Sequence, residues 1–205
     1  MASVYDLKPR FQQMLRPTLR GLAALGVTPN QLTVAGVLLS VGAGAMIAWQ
    51  PTAHWPLIAL PAALLLRMVL NALDGMMARE LDMQSTTGAF LNELGDVVSD
   101  TALYLPLALV PGVSAGLVIA IVLLAGLTEM AGVVAVQVGA TRRYDGPMGK
   151  SDRALVLGSL GLIIGLGVPP GAWTHLVLGA TTLLLMLTIT VRSRRARLAV
   201  EEVIS

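Results

Sequence analysis

Apolar residues dominate six runs, roughly 32–49, 56–78, 88–110, 113–138, 154–168 and 172–191, separated by short polar or turn-forming breaks. A helix that crosses a bilayer needs about 20 mostly apolar residues. The pattern therefore predicts an all-α, polytopic membrane protein with six transmembrane helices. The fifth run is short and can be extended at its start by residues 150–153. Breaks fall at 50–55, at Pro111-Gly112 and at Pro169-Pro170-Gly171, where turn residues interrupt the helical pattern. No internal repeat is visible.

Before the first run, Leu7, Phe11, Met14, Leu15, Leu19 and Leu22 recur near helical spacing with basic residues between them. That spacing predicts an N-terminal juxtamembrane amphipathic helix within residues 1–27. Pro9 and Pro17 count against it, since an interior proline kinks or ends a helix; the other reading is a basic flank that only fixes orientation. Thr28-Pro29-Asn30-Gln31 reads as a helix start, with proline tolerated in a first turn. Residues 1–205 then form a single integral membrane domain: an interfacial segment (1–27), a six-helix bundle (about 32–191) and a cytoplasmic tail (192–205).

Composition agrees. Of the 205 residues 55% are hydrophobic and 13% charged, about half the charged share of a soluble domain. The mean hydropathy is +0.75. A net charge of +2 argues against a nucleic-acid partner. The absence of cysteine excludes disulfides and thiolate metal sites. The first residues are polar and basic and the first apolar run is too long for a signal peptide, so no cleavable signal is expected.

The basic residues are unevenly placed. Lys8, Arg10, Arg16 and Arg20 precede the first run, and Arg79 lies in the second connection. Arg142, Arg143, Lys150 and Arg153 lie in the fourth, and Arg192, Arg194, Arg195 and Arg197 follow the last run, while the odd connections hold no Lys or Arg. By the positive-inside rule both termini and the even connections face the cytoplasm of a bacterial inner membrane, which requires an even number of spans.

Acidic residues at membrane depth are costly and functional by default. Asn71, Asp74 and Ala78 are spaced i, i+3, i+7 on one face of the second predicted helix; Asn92, Asp96 and Asp100 are spaced i, i+4, i+8 on one side of the third. The short connection is expected to pair the two ends antiparallel, so that their oxygens converge. Like charges held close resist ionisation unless a cation sits among them, and oxygen ligands favour Mg²⁺ or Mn²⁺. Gly75, Ala78 and Gly88 either let helices pack closely or leave room for a flat ligand.

These residues carry a resemblance. The run Asn71-x2-Asp74-Gly75-x2-Ala78-Arg79-x8-Gly88-x3-Asn92-x3-Asp96 resembles the signature of the CDP-alcohol phosphatidyltransferase family, D-x2-D-G-x2-A-R-x8-G-x3-D-x3-D, matching six of its eight fixed positions with every spacing kept. The resemblance implies transfer of a phosphatidyl or similar group from a CDP-linked lipid such as CDP-diacylglycerol to an alcohol, with release of CMP, and it implies a homodimer. It sets Asn71, Asp74 and Asn92 at metal positions and Asp96 at the general-base position. It lines the cytidine diphosphate pocket with Asp74, Gly75, Ala78, Arg79 and Gly88. Lys150 and Arg153 then either meet a lipid or acceptor phosphate or simply hold their loop inside.

Two signature aspartates are asparagine here. An amide oxygen ligates a hard cation but brings no charge, which weakens the case for a second divalent ion. Asp100, one turn beyond Asp96, and Glu93, adjacent to Asn92, are the acids available to compensate. Arg67 and Glu129, each inside an apolar run, either pair with each other or leave Glu129 to acceptor binding. His54 and His175 lie toward the outer connections and receive no catalytic part; Trp49, Trp55 and Trp173 cluster there as an interfacial belt would. Two other readings remain: a transporter with intramembrane acids, disfavoured by the lack of a repeat, and a catalytically impaired lipid- or nucleotide-binding relative. The acceptor alcohol is left open.

Overall fold

The computed structural model describes residues 4–204, with side chains for 11–201. Among these residues are seven α-helices and no strand: α1 (Val4–Ala24), α2 (Pro29–Trp49), α3 (His54–Glu80), α4 (Thr86–Tyr104), α5 (Ala115–Gln137), α6 (Lys150–Gly165) and α7 (Ala172–Ile204). Helix α1 runs unbroken through positions 9 and 17 despite their prolines. Its Leu15, Leu19 and Leu22 pack with Leu73, Met76 and Met77 of α3, and Arg16 pairs with Glu80 at 3.4 Å.

Helix α2 starts where the sequence predicts. The Thr28 hydroxyl accepts from the Gln31 amide, and the Gln31 side chain accepts from the Thr28 amide at 2.9 Å. This reciprocal pair satisfies two of the orphan donors at a helix start. The third apolar run is one helix only as far as Tyr104; residues Leu105–Leu109 tighten into a 3₁₀ turn, where Pro106 has no amide proton to continue the ladder. Helix α6 begins at Lys150, so the expected extension of the fifth run is observed.

Four helices, α2, α3, α5 and α7, are long and apolar enough to cross a membrane. The expected count of six is not reached on those criteria. Helix α4 carries Glu93, Asp96 and Asp100 within 19 residues, and α6 has only 16. The outer surface is rich in bare leucine: Leu65, Leu123, Leu155, Leu176 and Leu183 are all more than half exposed. Such a belt suits lipid, not water. Helix α7, at 33 residues, spans about 50 Å and outruns the hydrocarbon layer of roughly 30 Å.

Helix α2 is the central scaffold, packed along both α3 and α4, while α6 packs on α3 and α5 on α7. Gly44 makes the α2–α4 approach possible: a Cβ there would lie 1.8 Å from the Ala102 carbonyl oxygen. The core gathers Ile47, Leu60, Leu64, Leu103, Leu160 and Leu178 from five helices. Helices α3 and α4 each pack on α2, and the polar cleft between them is bridged by side chains. As expected, the two ends face each other: Asn71 of α3 bonds Asp96 of α4, and Arg67 bonds Asp100.

Candidate active site

The cleft lies at the end of the bundle that collects the C-terminal part of α3, the middle of α4 and the start of α6. Thr33 of α2 donates its hydroxyl proton to the Asp74 carboxylate at 2.7 Å. Asp74 is thus buried and oriented by a neighbour that the motif does not include. Thr33 sits one turn past Pro29 and also contacts the Pro29 carbonyl at 3.2 Å, which ties its rotamer to the start of α2.

Asp96 is the meeting point of three helices. Its Oδ1 accepts from the Asn71 amide of α3 at 2.8 Å and from the Lys150 ammonium of α6. Arg67 of α3 stands 3.5 Å from the same oxygen and donates to the Asp96 carbonyl at 3.2 Å. All these side-chain donors reach one oxygen, so Oδ2 is the face left for a substrate proton or a cation. The carboxylate is about one-fifth exposed, open enough to be reached from the cleft.

One turn on, Asp100 is buried and clamped from two sides. Arg67 donates to its Oδ1 at 2.6 Å, and Arg153 donates twice to its Oδ2, at 2.7 and 3.1 Å. Arg153 also donates to Glu129 at 3.0 Å and to the Thr128 hydroxyl at 3.1 Å. Glu129 in turn meets Arg142 at 3.4 Å and Arg192 at 3.8 Å, and Glu93 pairs with Arg142. The result is one chain of alternating charge linking α3, α4, α5, α6 and α7, with each buried charge matched as the membrane interior requires.

This arrangement changes several expectations. Arg67 and Glu129 do not pair with each other: Arg67 faces α4, and Glu129 is taken by cations from α6, α7 and the preceding loop. Arg153 has no exposed surface, and its guanidinium is spent on Asp100, Glu129 and Thr128 instead of facing an acceptor phosphate. Asp100 and Glu93 are likewise engaged by arginines, so neither carboxylate stands free in the cleft. Among the described residues no three Asp, Glu or His side chains converge as a metal cluster. The carboxylates near the cleft are therefore Asp74 and Asp96, with Asn71 and Asn92 on the same helix faces; Asn71 turns its amide nitrogen to Asp96 and its oxygen toward Gly36 of α2. Oxygen ligands of that kind are the type that suits a hard divalent cation.

The glycines of the motif are close-approach positions. A Cβ on Gly88 would come within 2.7 Å of the Asn30 side chain, and one on Gly75 within 3.2 Å of the Arg79 guanidinium. Arg79 is exposed and lies over Gly75 at the mouth of the cleft, and Ala78 is half-buried on the same turn. His54 contacts the Gly165 carbonyl at 3.1 Å at the opposite end of the bundle, far from this chemistry.

The loop before α6 is strapped down by charge. Arg143 bonds Asp145 at 2.8 Å, Arg195 also pairs with Asp145, and the Met148 amide donates to the Thr188 hydroxyl at 3.0 Å. Burial works to raise the Asp145 pKa, but the bond from Arg195 and the Arg143 charge outweigh it and hold this carboxyl below its usual range. The strap delivers Gly149, whose amide donates to Asp152 at 2.9 Å, and so sets the start of α6 and the position of Lys150.

Fold and cleft together define a helical membrane protein with an oxygen-rich, cation-edged site at one end of its bundle. Residues 26–192 match the family described as CDP-alcohol phosphatidyltransferase, and the chain belongs to that family. It is 42% identical over 203 residues to inner membrane protein YnbA of Escherichia coli (strain K12), covering 98% of this chain and 100% of that protein. It is 34% identical over 103 residues to an archaetidylinositol phosphate synthase of Pyrococcus horikoshii, 50% of this chain and 52% of that one. Its fold is similar to that of Mycobacterium tuberculosis phosphatidylinositol phosphate synthase (PgsA1) with CDP-DAG bound, at a TM-score of 0.75 and 19% identity over 90% of this chain and 94% of that one. The same protein in complex with manganese and citrate gives a TM-score of 0.73 at 20% identity, over 88% and 87% of the two chains.

Proposed function

We propose that this protein transfers a phosphatidyl-type group from a CDP-linked lipid to an alcohol acceptor and releases CMP, as a step of phospholipid synthesis. The observation that carries this reading is Asp96, whose Oδ1 accepts from both Lys150 and Asn71 while Asp74 is held by Thr33 on the neighbouring helix. Family membership and the CDP-DAG named with PgsA1 support the donor. In this reading the acceptor hydroxyl approaches Oδ2 of Asp96, which takes its proton as the oxygen attacks the lipid-side phosphorus. A new P–O bond to the acceptor forms while the P–O bond to CMP breaks. Asp74, Asn71, Asn92 and Asp96 would hold a divalent cation, Mg²⁺ or Mn²⁺, whose role when bound is to offset charge on the diphosphate. Arg79, Gly75, Ala78 and Gly88 would border the nucleotide, and Lys150 stands near the acceptor.

All six helices α2–α7 cross the membrane in this reading. Helix α4 is continued by its 3₁₀ turn, and its charges face partners instead of lipid. The site and both termini then face the cytoplasm, in keeping with the arginines around the cleft and with the inner-membrane relative. The test is to incubate detergent-purified protein with CDP-diacylglycerol, Mn²⁺ and a panel of alcohols: glycerol phosphate, inositol phosphate, serine and others. CMP release that needs one acceptor and is abolished by chelation is expected. Its absence with every acceptor would overturn the reading.

A further inference from the structure

We propose that Lys150, backed by Arg67, is a built-in cation of the reaction centre, so that the site works with a single divalent ion per chain. The inference rests on the CDP-lipid reading above and concerns how the charge of the diphosphate is met.

The first observation is the shortage of anionic ligands. At the four signature positions Asn71 and Asn92 contribute amides, so only Asp74 and Asp96 bring negative charge. Neither nearby acid makes up the difference, because Asp100 is held by Arg67 and Arg153 and Glu93 by Arg142.

The second observation is what already occupies Asp96. The Lys150 ammonium bonds its Oδ1, and Arg67 stands 3.5 Å from that oxygen. A divalent ion placed on this edge would have to displace the ammonium, or stand beside it and suffer its repulsion. Lys150 is not a lysine reaching for headgroups. It is the first residue of α6, its side chain is only one-quarter exposed, and it points inward to a carboxylate that a different helix supplies. The start of a helix adds its own partial positive charge there.

The same ammonium is one-quarter exposed, so it is within reach of a phosphate that binds beside Asp96. The pattern is thus coherent: two carboxylates exchanged for amides, and a fixed monovalent cation on the remaining base. Arg67, buried and doubly bound to α4, adds a second fixed positive charge on that edge.

The test is Mn²⁺ binding to the full-length protein in detergent, with CDP present, followed by the electron paramagnetic resonance signal of free Mn²⁺. Wild type is expected to bind one ion per chain. Lys150→Met removes one positive charge from beside Asp96 while Asn71 and Arg67 stay in place, so it is expected to bind Mn²⁺ about tenfold tighter, while CMP release falls; Lys150→Arg should retain one ion. The N71D/N92D variant should bind two. A lysine that serves only the acceptor or the loop would leave Mn²⁺ binding unchanged on removal. Two ions on the wild type, none at all, or unaltered affinity in Lys150→Met would each overturn the proposal. Should wild type bind one ion and still release no CMP from any CDP-lipid, the transfer reading falls and the charge substitution stands.

Discussion

Asp96→Asn is expected to lower CMP release by about a hundredfold to ten-thousandfold, the range a positioned general base contributes. The amide keeps the shape and can still accept from Asn71 and Lys150, but it cannot take the acceptor proton. Initial rates at saturating CDP-diacylglycerol and acceptor read this directly. At Mn²⁺ concentrations that saturate the variant, and so offset the weaker cation binding of an amide, the loss should fall on kcat, because proton acceptance is an interaction made only as the reaction proceeds. A parallel rise in KM with kcat unchanged would instead assign Asp96 to uniform substrate binding and remove it from the base role.

The second large effect is on stability. Asp100→Ala leaves Arg67, about 2% exposed, without its closest carboxylate, and takes from the fully buried Arg153 one of its two anions. Breaking a buried ion pair from one side costs about 3–5 kcal/mol, because an uncompensated charge stays in a poorly solvating interior. The thermal midpoint of the detergent-solubilised protein should therefore fall by many degrees. Asp100→Leu combined with Arg67→Met, which removes both partners of one pair, should recover part of the loss. Equal midpoints for the wild type and Asp100→Ala would mean that water or lipid reaches these arginines and that the charge chain is not a structural lock.

Much of this was legible from spacing. The apolar runs marked α2, α3 and α5 to within a few residues and the start of α7, whose helix runs on to Ile204 through the expected tail of residues 192–205; Asp74 and Asp96 were placed at one end of the bundle by the motif and by the polarity of the connections. Arg67 and Glu129 stand out as charges inside apolar runs, but the sequence points to neither Asp100 nor Arg153, the partners they meet. What periodicity does not encode is which neighbour a face meets. Asp100 looked available to a metal because it shares a face with Asp96; in three dimensions α6 brings Arg153 onto it. Arg153 reads from the sequence as either a phosphate contact or a charge holding its loop inside; in three dimensions it turns inward to Asp100 and Glu129. Thr33 left no signal of its own, since a threonine near a helix start is ordinary until Asp74 is seen beside it. The role of α2 as common support for α3 and α4 is a packing outcome, visible only afterwards in Gly44, where the α4 backbone leaves no room for a side chain.

The central claim is that this cleft passes the lipid-bearing phosphate of a CDP-lipid to an alcohol. The most direct measurement uses CDP-diacylglycerol labelled in the phosphate next to the lipid, incubated with the purified protein, Mn²⁺ and the accepting alcohol, with products resolved by mass spectrometry. The account predicts one labelled phosphodiester lipid for each unlabelled CMP released. Label recovered in the nucleotide product, or an intact donor with every acceptor tried, would contradict it.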